Sequence, residues 1–188
     1  AALRTNIEKQ PGRAFVGRGG GWGKNFRISE TPMYMHLSTY GIPVILWLPE
    51  TWSPNSDTEQ YFSENNPAHY SLYNVRYVAT PIDLAPDQIQ PFWKPLTSGE
   101  SWKLYEVATD GYITAGVRPA IVSTAKTDYR SVVRLWMHSH AYTQGIFPEL
   151  TFNNAYPKQA GLPNFRMTDE VTYKIPDGTL HNLFSEPP

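Results

Sequence analysis

The sequence predicts an α+β fold, with α/β as the neighbouring class: a mixed sheet with short helices and a β-rich C-terminal third. Three observations predict it. Short apolar or alternating runs of strand length recur along the chain, interleaved with proline-marked helix starts. One segment, Thr127–Ser139, carries a sustained helical period. From Gly145 onward the pattern turns extended and turn-rich.

Taken in order, residues 1–25 are polar and glycine-rich, with Gly17-Arg18-Gly19-Gly20-Gly21-Trp22-Gly23, and read as a glycine-rich N-terminal segment. Phe26–Glu30 alternates as a short strand. Thr31-Pro32 has the form of an N-cap with proline at the first helical position, opening a helix to about Tyr40 with Gly41 as its stop. Val44–Leu48 is short, β-branched and bracketed by Pro43 and Pro49, which predicts a buried strand. Residues 58–63 are expected to form one helical turn. Asn66-Pro67 repeats the capping signal before a helix over Ala68–Tyr73, and Val75–Ala79 follows as a strand. Four prolines within residues 80–100 predict a loop with at most a short helix around Asp87–Trp93. Strands are expected at Trp102–Val107, Tyr112–Val117 and Ala120–Ser123. In Thr127–Ser139, Tyr129, Val132, Val133 and Trp136 share one helix face. Glu149–Phe152 and Glu170–Ile175 read as strands, and Pro176-Asp177-Gly178 as a turn. The expected division is an N-terminal segment 1–25, a core domain 26–150 and an extended segment 151–188 packed on that core.

Composition narrows the function classes. The 188 residues carry 16 Lys+Arg against 17 Asp+Glu, so no field favours nucleic acid or an anionic surface. With no cysteine, a disulfide scaffold, a thiolate nucleophile and a Cys-ligated zinc are excluded. The longest apolar run, Val44–Leu48, falls far short of the roughly 20 residues a membrane helix needs. The start lacks an initiator Met and an apolar signal core, and the end lacks an anchor motif. A segment of a longer protein is the expectation.

Several constellations offer chemistry. The glycine cluster supplies Gly23-Lys24 of a Walker loop, but Arg18 and Asn25 stand where that motif needs Gly and Ser/Thr. Nor does it match a dinucleotide fingerprint, because Trp22 occupies a glycine position. A tight turn accounts for it, while Arg13, Arg18 and Arg27 around it could bind phosphate. Glu50 and Asp57, beside Trp52, follow a predicted strand end, where paired carboxylates could serve glycoside hydrolysis. A solvated loop accounts for the same residues. Trp22, Trp52 and Trp93 fall in predicted loops and are candidates for stacking on a sugar ring, with Arg27, Glu50 and Asp57 as polar partners. Trp47, Trp102 and Trp136 lie within predicted elements and are expected to pack in the core.

His138-Ser139-His140-Ala141-Tyr142 resembles the His-Gly-His-Asn-Tyr motif of the 6-pyruvoyl-tetrahydropterin synthases, which implies zinc at His138 and His140. That family's third histidine has only the distant His69 as a counterpart, and its cysteine has none.

Four further stretches are similar, in order, to one family: Phe26–Glu30, Leu46–Pro54, Leu72–Val78 and Trp102–Val107 running into Gly111-Tyr112. Over about residues 14–150 the chain resembles the extracytoplasmic portion of polytopic bacterial membrane proteins related by name to 6-pyruvoyl-tetrahydropterin synthase, with glycosyltransferase-like relatives. The resemblance implies a domain on the extracytoplasmic face of the cell membrane, attached to the rest of the same membrane protein. Its implied role is to bind or position a glycan or lipid-linked sugar, the transfer itself being carried out elsewhere in the full protein. No cofactor, no nucleic-acid partner and no catalytic residue in this segment are expected. A purely structural module and a zinc-dependent pterin-type lyase are the alternatives.

Overall fold

The computed structural model describes residues 2–46, 58–113, 121–124, 129–139, 141–145, 147, 149–152 and 173–174. The chain divides into two compact units, Ala1–Thr114 and Ala115–Pro188. The fold is α+β, with a mixed sheet and a few short helices.

The first unit runs from helix α1 (Ala2–Lys9) through strand β1 (Arg13–Phe15) and a 3₁₀ turn (Trp22–Lys24) to a hairpin of β2 (Arg27–Ile28) and β3 (Thr31–Pro32). Helix α2 (Met33–Thr39), helix α3 (Pro67–Leu72) and strand β4 (Val75–Pro81) follow. A second 3₁₀ turn (Pro86–Gln88) then leads to β5 (Lys94–Ser98) and β6 (Trp102–Glu106). Four strands form one sheet in the order β1-β4-β6-β5. β1 is parallel to β4, while β6 is antiparallel to both β4 and β5.

Strand alternation divides the apolar residues between the two faces of this sheet. Phe15, Val78 and Tyr105 belong to one cluster, with Phe62, Tyr70, Leu84 and Trp93. Their neighbours in sequence, Ala14, Val16, Tyr77 and Leu104, belong to the other, with Phe26, Ile42 and Val44. The half-buried Leu3 and Ile7 of α1, and Met33 and Leu37 of α2, pack on the second cluster. The Tyr77 hydroxyl, 2.8 Å from the Asn6 carbonyl and 2.7 Å from that of Gln10, ties the end of α1 to the central strand.

Local signals set the helix ends. Asn66 caps α3, its Oδ1 accepting the Ala68 N–H at 3.0 Å, with Pro67 in the first turn. Gly41, at φ 70°, ends α2 as its position in the sequence predicts. β5 is exposed along its length, and such an edge tolerates Pro95, which has no N–H to donate.

The second unit contains β7 (Ile121–Thr124), helix α4 (Tyr129–Met137), a 3₁₀ turn (Ala141–Gln144), β8 (Glu149–Phe152) and β9 (Tyr173–Lys174). Its strands are parallel in the order β8-β7-β9, and α4 supplies the crossover from β7 to β8. On α4, Val132, Val133 and Met137 are buried, while the Trp136 ring packs against Tyr142 at 5.9 Å and Phe147 at 5.8 Å. Among the described residues, no helix is long and apolar enough to cross a membrane.

Within residues 1–25, β1 pairs with β4 inside the first unit's sheet. The division into two units falls after Thr114, and β8 spans position 150. Several expectations are corrected. Thr31 does not cap α2: pairing of Ile28 with Thr31 and Arg27 with Pro32 keeps both extended, so the helix opens at Met33. The strand expected at Val44–Leu48 is a single parallel bridge from Val44 to Ala14, followed by a turn at Ile45-Leu46. Residues 80–100 hold a strand, β5, besides the expected loop. Residues 47–48, most of the strand expected at Tyr112–Val117, and the turn at Pro176–Gly178 lie outside the described residues.

Candidate functional site

At the carboxyl end of β1 the chain enters the glycine loop. Gly17 has φ 81°, and a Cβ placed on it would stand 2.5 Å from the Gly23 Cα. A Cβ on Gly23 would meet the Gly17 carbonyl carbon equally closely. Only glycine at both positions allows this approach, so the loop is pinched at its base. Trp22 braces it from below. Its Nε1 donates to Glu64 Oε2 at 3.0 Å, and its ring packs against Phe15 at 5.6 Å and Phe26 at 6.3 Å.

Between this loop, Tyr34 of α2 and Leu46 lies an open cleft of about 360 Å³, lined by Gly17, Arg18, Gly19, Gly20, Tyr34 and Leu46. The Leu46 wall is anchored. Leu46 adopts φ 65°, and its N–H donates to Glu59 Oε2 at 3.2 Å, while the other Glu59 oxygen pairs with Arg13. Glu59 is buried, so this pair ties the turn at Leu46 to β1 through a desolvated carboxylate.

The three arginines near the loop are thereby distinguished. Arg13 is engaged by Glu59 and the Val44 carbonyl. Arg27, on the hairpin, donates to the Glu30 carbonyl and lies 4.0 Å from its carboxylate. Arg18 alone of the three lines the cleft, half-buried and without an ion pair among the described residues. Among the described residues that line the cleft there is no carboxylate or histidine.

No known protein family, curated protein or solved structure matches the chain.

The residues singled out by sequence fall in different places. Trp22 lies half-buried beneath the cleft. Arg27 is exposed on the hairpin and does not line it. Trp93 is not a loop ring open to a ligand: it is 4% exposed, packs on Tyr105 at 5.7 Å, and donates its Nε1–H to the Tyr70 hydroxyl at 3.1 Å. Its aromatic surface is used by the core. Glu50, Trp52 and Asp57, like Trp47, lie outside the described residues. The chain that carries them leaves from Leu46 on the cleft wall and returns at Thr58. His138 is exposed just beyond α4, its main-chain N–H bonded to the Arg134 carbonyl, and His140 lies outside the described residues. Among the described residues no group of three or more His, Cys, Asp or Glu side chains could hold a metal ion. Tyr34 carried no site signal in the sequence, because a tyrosine in an apolar helix reads as packing. Arg18 carried a weak one, its place inside the glycine run.

A second cleft, of about 320 Å³, lies between α1 and α2 and is lined by Leu3, Arg4, His36, Leu37, Tyr40 and Ile42. Its guanidinium is already engaged. The Arg4 guanidinium donates to the Tyr40 carbonyl, and the His36 ring packs on Tyr40 at 5.0 Å. The glycine-loop cleft is therefore the better candidate.

Proposed function

We propose that this chain is an extracytoplasmic domain of a multispanning bacterial membrane protein. It binds or positions a glycan or lipid-linked sugar for a glycosyl transfer carried out elsewhere in the full protein. The observation that carries the ligand-binding part is the cleft of about 360 Å³ at the glycine loop. That volume lies within the usual range for small-molecule sites. Its lining joins a phenol ring, a guanidinium and bare main chain, a combination suited to an oxygen-rich ligand. The membrane partner and the extracytoplasmic location rest on the resemblance of Leu46–Pro54, Leu72–Val78 and Trp102–Val107.

Two measurements test this reading. Titrating the isotope-labelled chain with soluble oligosaccharides is expected to shift the resonances of Tyr34 and Gly17–Gly20. Unchanged spectra would leave a structural module. Fractionation of source cells with an antibody to the domain is expected to give a large, carbonate-resistant antigen cleaved by protease from outside. A protease-protected antigen near 21 kDa would overturn the location.

A further inference from the structure

We infer that the glycine-loop cleft is a phosphate subsite: the ligand carries a phosphoryl group, held by the Arg18 guanidinium and by the main chain of Gly19 and Gly20. Three observations converge on it. First, Arg18 is the one arginine of the three around the loop that faces the cleft without a carboxylate partner among the described residues, Arg13 and Arg27 being engaged by Glu59 and Glu30. A half-buried guanidinium loses hydration, and an anion restores what a neutral hydroxyl restores only in part. Second, glycine can line a cleft only with its main chain. Gly19 and Gly20 make no backbone hydrogen bond as donors among the described residues, so their N–H groups are available to an acceptor. Successive main-chain N–H groups in a tight loop form concavities that take anions. Third, the loop is preorganised. The contact between Gly17 and Gly23, and the bond from Trp22 to Glu64, hold its base before any ligand arrives. Among the described lining residues no carboxylate opposes an anion.

The phosphoryl group could belong to a sugar phosphate or to the headgroup of a lipid-linked sugar, and both offer the same oxygens to the loop. This inference rests on the proposed sugar-binding function only for what is attached to the phosphate.

The test titrates the full 188-residue chain, followed by amide NMR, with four probes: inorganic pyrophosphate, glucose 1-phosphate, geranyl phosphate and glucose. The expected result is saturable shifts at residues 17–23 with the three phosphorylated probes and weaker or no shifts with glucose. Arg18→Gln is expected to weaken phosphate binding about tenfold, the usual size of a charged hydrogen-bond pair. Gly19→Ala is the second variant. A Cβ there stands 3.7 Å from the Tyr34 hydroxyl, ordinary contact, so it narrows the cleft without straining the fold. It is expected to weaken binding while the rest of the spectrum is unchanged.

Shifts by glucose equal to those by glucose 1-phosphate, insensitive to Arg18→Gln, would overturn the phosphate inference and leave the glycan reading standing. Pyrophosphate binding that neither sugar nor prenyl group improves would keep the phosphate subsite and overturn the sugar. A gain with geranyl phosphate alone would assign the lipid headgroup, and a gain with glucose 1-phosphate alone the free sugar phosphate. Silence at residues 17–23 with every probe would overturn both readings.

Discussion

Glu59 shows how much a single side chain organises here. Its two oxygens hold Arg13 of β1 and the Leu46 N–H, joining the sheet to the turn from which the Glu50–Asp57 segment departs. Glu59→Ala leaves Arg13 unpaired in a largely desolvated site and is expected to cost about 2–3 kcal/mol, read from urea unfolding. A midpoint equal to the parent's would show the pair contributes nothing. Gly17→Ala meets a positive φ and a backbone contact at once. Its expected cost is at least about 2 kcal/mol, whereas Gly20→Ala, with open space around it, is expected to cost well under half of that.

Tyr70 makes stability depend on alkaline pH. Burial pushes its phenol well above the ordinary value, with the Trp93 N–H bond lowering it somewhat and the Glu64 carboxylate raising it further. Burial, with the Glu106 carboxylate adding, also raises Tyr77, while Arg76 lowers it somewhat. A raised folded-state value means that the unfolded chain releases these protons first. Stability is then full below about pH 10, the unfolded tyrosine value, and falls as pH rises above it. Tyr70→Phe is expected to lower stability at neutral pH by about 1 kcal/mol, through loss of its bonds with Trp93 and the Glu64 carbonyl. The same variant is expected to flatten the alkaline decline. An unchanged slope above pH 10 in chemical-denaturation midpoints would exclude Tyr70 as its source.

Among the elements, α3 follows directly from its local sequence. Asn66-Pro67 is a strong start signal, and the Asn66 bond to the Ala68 N–H realises it. Asn66→Ala is expected to cost about 1 kcal/mol in thermal or urea unfolding, and Asn66→Asp much less. α2 and β5 illustrate the opposite case. Thr31-Pro32 carries the same two-residue signal, but pairing with β2 takes both residues into a hairpin. Pro95 argues against a strand, yet β6 offers a partner on the sheet edge, with a register shift between Pro95 and Thr97. In each, pairing with the neighbouring strand of a hairpin, only a few residues away, overrode the local signal.

At the scale of the whole molecule, both buried clusters on the first sheet draw, among the described residues, on residues before Thr114. Residues 1–114 expressed alone are therefore expected to fold cooperatively and to retain the dispersed amide spectrum of that unit in the full chain. A collapsed spectrum would show that the first unit needs the second. By itself the sequence determined the α+β class, the helices over α3 and α4, the central strand β4 and the stop at Gly41, because periodicity, caps and glycine conformation act within a few residues. Only the tertiary structure decided that residues 13–15 join β4, that Trp93 belongs to the core, and that Arg18 meets Tyr34 and Leu46 across one cleft. The cleft brings together residues up to 29 positions apart, and its charge depends on which arginines find carboxylates elsewhere. Those are properties of packing, and they exist only once the chain has closed on itself.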